Sequence, residues 1–204
     1  MALKRGWCEE NPITKVDVPS FLEKEIHSLL IEEIEALLTI SLQIEFSSCA
    51  AGLGLMLYGG IRPTELMRLK WSDINLKEKI VSILPAHSKT GGMRHVTIHP
   101  VLDRWLRPFY SARNLDSSIC IPSWQFIWKD LRKEAGWGTG KGLRPWPQDC
   151  LRHSYASYHA KYFRNFPELQ IEMGHRSSAL LRTRYLNMRG VTKESAERFW
   201  KGIL

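Results

Sequence analysis

Residues 60–66 read Gly-Ile-Arg-Pro-Thr-Glu-Leu, and this stretch joins two predicted helices through a turn that presents an arginine. The uncharged run before it, over residues 46–61, indicates a buried helix that ends at Gly59-Gly60. Pro63 suits the first turn of the next helix, where its missing N–H costs no intrahelical bond. Glu65 follows Arg62 by three residues and can orient the guanidinium through a charge-assisted bond. The alternative is an ordinary surface arginine beside a helix start.

Outward from this turn, the apolar spacing is mostly helical. One amphipathic helix is predicted over residues 29–42 from the helical spacing of Leu29, Leu30, Ile34, Leu37, Leu38 and Leu42. Two short β-branched runs, residues 80–84 and 94–98, flank a Gly-Gly turn and predict a β-hairpin. Further helices are predicted over residues 101–112, 124–135, 148–162, 168–173, 177–185 and 193–201. The sequence therefore predicts a mainly α protein with a small antiparallel β-sheet, in the α+β class.

The charge of the chain is unevenly distributed. The net charge is +8, yet residues 1–60 hold 4 Lys and Arg against 9 Asp and Glu. Residues 61–139 hold 13 basic against 7 acidic residues, and residues 140–204 hold 12 against 5. A basic excess confined to the last two thirds of a chain favours a polyanionic partner such as nucleic acid, although a solvated basic surface without a partner gives the same pattern.

Several other classes of protein are disfavoured. The chain has no apolar run of 18 residues, so a membrane span is not expected. Four cysteines without a CxxC pair predict neither a zinc site nor a disulfide framework, and fit a reducing location. His153 and His159 are six residues apart and do not share a helix face, so no metal is predicted. The glycines of residues 138–142 lack the Ser or Thr and the following helix of a P-loop.

Three further motifs follow the arginine turn. Residues 151–154 read Leu-Arg-His-Ser on a predicted helix, residues 173–178 read Met-Gly-His-Arg-Ser-Ser, and Arg184-Tyr185 comes ten residues after His175. Lys89 lies on the predicted hairpin turn, between the motif of residues 60–66 and the motif of residues 151–154 in the sequence. Each motif alone fits a surface arginine, a helix-end histidine or a core tyrosine. Such ordinary structural roles do not explain why all of these motifs occur together in this order and spacing.

This set resembles the tyrosine recombinase (phage integrase) family over about residues 37–200. Members share an arginine turn, a lysine on a β-hairpin, an H-x-x-R helix, a Gly-His motif and a nucleophilic tyrosine. The resemblance implies the DNA breaking-rejoining catalytic fold and cleavage through a 3′-phosphotyrosine, without metal, ATP or other cofactor. It assigns catalytic roles to Arg62, Lys89, Arg152, His175 and Tyr185. The independent physical argument is that fixed cationic donors stabilise the charge that develops on an attacked phosphodiester.

The chain departs from the family pattern at Asp149, where members most often carry histidine. Asp149 is therefore a possible catalytic residue, since a carboxylate accepts a proton but also repels phosphate. Glu65 is expected to orient Arg62, and DNA contacts are expected from Arg94, Arg144 and Arg176. A catalytically weakened or inactive DNA-binding remnant is the alternative function. A type IB topoisomerase and a helical scaffold are two further alternatives.

The expected organisation has two parts. Residues 1–27 are predicted to be a linker or the tail of a missing core-binding domain, and residues 28–204 the catalytic domain. Residues 191–204 are predicted to form a C-terminal docking helix that lies on its own domain or swaps between copies. The expected partners are double-stranded DNA and further copies of the chain, as a tetramer on DNA. The expected location is the cytoplasm, for a protein encoded by a bacterial cell or by a phage or mobile element.

Overall fold

The helix over Ser47–Tyr58, α2, is the central element of the protein, and most of the other helices pack against it. A computed structural model describes residues 3–7, 10, 27–85, 92–110, 114–175, 181, 185 and 190–203. The helices in these ranges are α1 (Ile31–Ser41), α2 (Ser47–Tyr58), α3 (Pro63–Leu66), α4 (Pro100–Tyr110), α5 (Trp124–Glu134), α6 (Cys150–Tyr162), α7 (Phe166–Met173) and α8 (Lys193–Lys201). None of these helices is long and apolar enough to cross a membrane.

Small side chains let the neighbouring helices approach α2 closely. Every residue from Cys49 to Tyr58 is buried. The indole of Trp105 on α4 lies against Gly54, where a Cβ would come within 2.2 Å of its Cδ1 atom. The same indole donates a hydrogen bond of 2.8 Å to the carbonyl of Ala50. The uncharged run is therefore a helix buried on all sides, with contacts to α1, α4, α5 and α6.

The sheet is antiparallel, with β1 (Ile74–Asn75), β2 (Ile80–Ile83) and β3 (Arg94–Thr97) in that order. The register pairs Ile80 with Thr97 and Ile83 with Arg94. Alternate residues of a strand face the same side, and here the inward side includes Val81, Val96 and the Arg94 side chain. Helix α7 packs against β3, so the inward face of this strand meets the C-terminal part of the chain.

Helix α8 packs on its own domain. Thr192 caps its start by accepting a hydrogen bond from the Ser195 N–H at 3.1 Å. Phe199 stacks on Tyr158 of α6 with ring centroids 4.4 Å apart, and the indole of Trp200 donates to the Tyr158 carbonyl at 3.1 Å. Ala196, Phe199 and Trp200 of this helix are all buried. Of the two expected arrangements of this helix, the single chain shows the one within its own domain.

The predicted fold class is confirmed, and the bounds of the described elements differ from the predicted ones by at most three residues. Strand β1 was not predicted, because two residues are too short to show an alternating pattern. The predicted helix over residues 177–185 lies outside the described residues except for Leu181 and Tyr185, both of which are helical. The hairpin turn with Lys89 also lies outside the described residues.

Candidate active site

Arg62 is held at the start of α3 by the turn that precedes it. Gly60 has a φ of +59°, a conformation that favours glycine, and a Cβ there would come within 2.4 Å of the Tyr155 ring. Arg62 itself is extended and stands directly before Pro63. Its Nη1 donates to Glu65 Oε1 at 2.9 Å, and its Nη2 donates to the Met173 carbonyl at 3.2 Å. The predicted orienting contact with Glu65 is therefore present.

Glu65 is a buried carboxylate that two arginines share. It accepts the Arg62 backbone N–H at 3.1 Å in addition to the Arg62 side chain. Arg94 forms a fork on it, with Nη1–Oε1 at 2.8 Å and Nη2–Oε2 at 2.6 Å. Burial alone would raise the pKa of Glu65, but the bonds and charge of Arg94, followed by those of Arg62, lower the pKa to about 2. Glu65 is thus ionised at neutral pH and fixes both guanidinium groups.

The structure corrects the assignment of Arg94 as a DNA contact. Arg94 is only 7% exposed, because it lies on the inward face of β3 together with Val96. Its Nε donates to the Glu172 carbonyl at 2.8 Å. A guanidinium committed to a buried carboxylate and a buried carbonyl serves to position Glu65 and α7. The available signal in the sequence was the alternation of strand residues, which places Arg94 on the same face as the apolar Val96 and Ile98.

Arg152 lies on α6 and is 5% exposed. Its Nη1 donates to the Gly60 carbonyl and its Nη2 to the Met173 carbonyl. Burial, and then the nearby positive charges of Arg62 and Arg94, lower the pKa of Arg152 to about 9. The group still carries its charge at neutral pH. Arg62 and Arg152, 90 positions apart in the sequence, therefore meet at the same carbonyl.

The C-terminal end of α7 is the meeting point of these arginines. The Glu172 carbonyl accepts Arg94, and the Met173 carbonyl accepts Arg62 and Arg152. The carbonyls at a helix C-terminus carry partial negative charge, which favours cations there. Gly174 ends the helix with a φ of +59°. The His175 backbone then bonds to Gln170 through its N–H at 3.0 Å and its carbonyl at 3.2 Å, so the Gly-His motif is fixed beside the arginines.

Tyr185 lies next to α6 and is 4% exposed. Its hydroxyl is 2.9 Å from Nδ1 of His153, the residue after Arg152, and Tyr185 interacts electrostatically with Arg152. The sequence predictions did not give His153 a role. The available signal was its position four residues after Asp149, since residues at i and i+4 on a helix face the same side.

Asp149 is exposed and precedes α6 in a left-handed conformation with a φ of +54°. Its carboxylate makes no capping bond to α6. It lines a small cavity that is also lined by Pro63, Trp146 and Arg152. Asp149 is thus a neighbour of the arginine site on the solvent side.

The remaining expected residues lie at the edges of the site or beyond the described residues. Arg144 has a side chain that is 57% exposed, pairs with Glu33 at 2.6 Å, and lies over the Trp137 ring at 3.9 Å. Its exposure is compatible with the expected DNA contact. Lys89 and Arg176 fall outside the described residues.

One group of described side chains has the donor types of a metal site. The ligand atoms of His99, His159 and Glu172 lie within 4.8 Å of one another. Burial, and then His99, lowers the pKa of His159 to about 3. Glu172 already accepts the Thr97 N–H at 3.0 Å and the Tyr155 hydroxyl, and both imidazole rings pack in an aromatic cluster with Phe163 and Trp200. His99, His159 and Glu172 therefore serve as packing contacts between α6, α7 and the end of β3.

Comparison with known proteins places this geometry among characterised folds. The sequence profile described as the phage integrase family matches residues 27–190. Comparison with curated proteins gives no match. The structure is similar to the XerA recombinase, with 19% identity, a TM-score of 0.60, and coverage of 91% of this chain and 66% of that chain. This chain thus spans just under two thirds of the XerA recombinase.

Two other solved structures show the same likeness. The Tn1549 transposon integrase in complex with circular intermediate DNA has 14% identity and a TM-score of 0.65, with coverage of 100% of this chain and 76% of that chain. The catalytic domain of bacteriophage HP1 integrase has 19% identity and a TM-score of 0.62, with coverage of 86% of this chain and 95% of that chain. At these identities the likeness shows the fold.

Proposed function

The chain belongs to the phage integrase family, and from this premise we propose that it is a site-specific DNA recombinase of the tyrosine type. The reaction we propose cleaves a DNA strand through a 3′-phosphotyrosine at Tyr185 and rejoins it to a new partner strand. The observation that carries the proposal is the meeting of Arg62 and Arg152 at the Met173 carbonyl, with Tyr185 close enough to interact with the charge of Arg152. Double-stranded DNA is the proposed partner, in agreement with the basic excess of residues 61–204.

The two arginines have the charge and donor geometry for a phosphodiester. Attack on phosphorus places negative charge on two non-bridging oxygens, and preorganised donors stabilise that state. A guanidinium has five N–H groups, and the bonds to Glu65, Gly60 and Met173 use two on Arg62 and two on Arg152 within the described part of the chain. The remaining donors are proposed to bind the phosphate, together with the His175 ring. Loss of one such donor costs about 3 kcal/mol of barrier.

Tyr185 is the proposed nucleophile, and Lys89 the proposed acid that protonates the leaving 5′-hydroxyl. Because the phosphotyrosine retains the energy of the broken phosphodiester, rejoining requires no ATP. Because the arginines supply the positive charge at the phosphate, the proposed reaction also uses no metal ion. The reaction takes place, in this proposal, in the cytoplasm of a bacterial cell, on DNA contacted by Arg144 and Arg176.

A DNA-binding remnant without full activity is the second candidate, and the exposed Asp149 at the usual histidine position is the observation that favours it. The two candidates differ in one product, the covalent adduct. A nicked suicide duplex with a randomised centre is mixed with the unmodified chain and with Tyr185→Phe. An adduct that survives SDS and is absent with Tyr185→Phe supports the recombinase. If neither protein forms an adduct, Asp149→His is tested next, and continued absence supports the remnant.

We also propose that copies of the chain assemble as a tetramer on DNA, with α8 docking on a neighbouring copy. The contacts of α8 with Tyr158 and Arg104 in the single chain are the ones that would form between copies in a swap. Sedimentation of the chain alone, and of the chain mixed with the suicide duplex that forms the adduct, tests this assembly. A sedimentation coefficient on DNA that corresponds to one copy per site would exclude it.

A further inference from the structure

The hydroxyl of Tyr185 must lose a proton when it attacks phosphorus, and the structure supplies an acceptor that the family pattern does not assign. We infer that His153 is the proton acceptor of Tyr185, in place of a residue at position 149. This inference rests on the proposed recombinase function. It is carried by the 2.9 Å contact between His153 Nδ1 and the Tyr185 hydroxyl.

The geometry of the pair suits a proton transfer. A distance of 2.9 Å is within the 2.6–3.2 Å range in which a general base reaches the proton it removes. The two ring centroids are 6.1 Å apart, with an angle of 38° between the planes, so the rings meet through their polar atoms and do not stack. His153 is the residue after Arg152, and the acceptor is therefore held by the same helix turn that holds a phosphate-binding arginine.

Asp149 is not placed for this role. Its backbone is left-handed and outside α6, and its side chain is exposed at the cavity beside Pro63 and Trp146. The negative charge of the Asp149 carboxylate near the phosphate would also oppose the attack, because it repels the phosphate and the attacking tyrosine oxygen. Position 153 lies one helical turn further along the chain, with its backbone N–H bonded to the Asp149 carbonyl at 2.9 Å. A histidine at this position reaches Tyr185, and the carboxylate at position 149 is dispensable.

The step balances with the groups already named. His153 begins neutral, with its proton on Nε2 and the Nδ1 lone pair facing the hydroxyl. As the tyrosine oxygen forms its bond to phosphorus, the hydroxyl proton moves to Nδ1, and the bond from phosphorus to the 5′-oxygen breaks. The 5′-oxygen takes its proton from Lys89. Rejoining runs in reverse, with the imidazolium returning its proton to the tyrosine.

The test compares His153→Asn with Asp149→Asn. An asparagine at position 153 keeps a hydrogen-bonding atom near the position of Nδ1 but cannot take up a proton. An asparagine at position 149 removes the charge and tolerates the left-handed backbone. The most frequently captured sequence from the randomised suicide duplex is synthesised in two forms, with a bridging 5′-oxygen or a bridging 5′-sulfur at the scissile phosphate. A 5′-thiolate leaves without a proton, so the sulfur substrate removes the need for an acid but not for a base.

We expect His153→Asn to form the adduct about 100-fold more slowly than the unmodified chain on both substrates, and Asp149→Asn to stay within about threefold. We expect Lys89→Ala to be slow on the oxygen substrate and restored on the sulfur one. His153→Gln is a second variant with the same expected loss, and circular dichroism confirms that each variant is folded.

Three results would overturn the inference. Adduct formation by folded His153→Asn at the unmodified rate would show that no proton passes to position 153. Restoration of His153→Asn by the sulfur substrate would assign His153 to the leaving group. If neither the unmodified chain nor Asp149→His forms an adduct, the proposed function fails and the inference falls with it, whereas an active unmodified chain with an active His153→Asn refutes the inference alone.

Discussion

Replacing Glu65 by glutamine tests whether the buried carboxylate holds the site together. The substitution keeps the size of the side chain and removes its charge. Arg94, with 6% of its side chain exposed, then loses both charged bonds of its fork. The glutamine amide nitrogen, itself a donor, faces one of the guanidinium N–H groups without an acceptor between them.

The expected loss of stability is large because a buried cation is left without its partner. Breaking one side of a buried ion pair costs about 3–5 kcal/mol. For a domain of this length each kcal/mol lowers the melting temperature by roughly 2–4 °C, so Glu65→Gln is expected to lower it by roughly 6–20 °C.

The matched control is Glu33→Gln. Glu33 pairs with Arg144 at 2.6 Å, the same distance as the Arg94–Glu65 contact, but the Arg144 side chain is 57% exposed. Solvent screening limits such a pair to about 1 kcal/mol or less. The two pairs thus differ in burial and in the number of arginine bonds, since Glu65 also accepts a second bond from Arg94 and one from Arg62.

Chemical denaturation of the unmodified chain and both variants, followed by circular dichroism, gives the three free energies of unfolding. A loss below about 1 kcal/mol for Glu65→Gln, equal to that of Glu33→Gln, would refute the reasoning that burial makes this pair strong.

Three further predictions follow from the same contacts. Because the pKa of Glu65 is lowered to about 2 in the folded chain from an ordinary 4.5, its contribution of about 3 kcal/mol is present above pH 4.5 and lost as the pH falls towards 2; denaturation at each pH should show the difference from Glu65→Gln shrinking over this window. Gly174→Ala strains a φ of +59° and brings a Cβ within 3.2 Å of Arg94 Cδ, and we expect a loss of about 1–2 kcal/mol in the same assay. Arg62→Lys keeps the charge but loses the planar fork, and should slow adduct formation by about 100-fold while the melting temperature stays within a few degrees.

The spacing of apolar residues and the positions of glycine and proline predicted most of the helices and the place of each motif along the chain. The uncharged run of residues 46–61 and the turn at Gly60 indicated a buried helix that leads to an arginine. Both features can be recognised locally, because a buried helix lacks charged residues and a left-handed turn favours glycine. The order of the motifs then indicated the family.

The sequence could not show how the side chains face one another. Arg94 was assigned to the surface because of its charge, yet it lies on the inward face of β3 with Val96 and binds Glu65. His153 resembled a helix-surface residue, yet it contacts Tyr185, which lies 32 positions later. These contacts depend on which faces of β3 and α6 are turned inward, and that is decided by the packing of the whole core. The sequence by itself determined which chemical groups the protein holds and their order along the chain, and only the tertiary structure decided which of them meet.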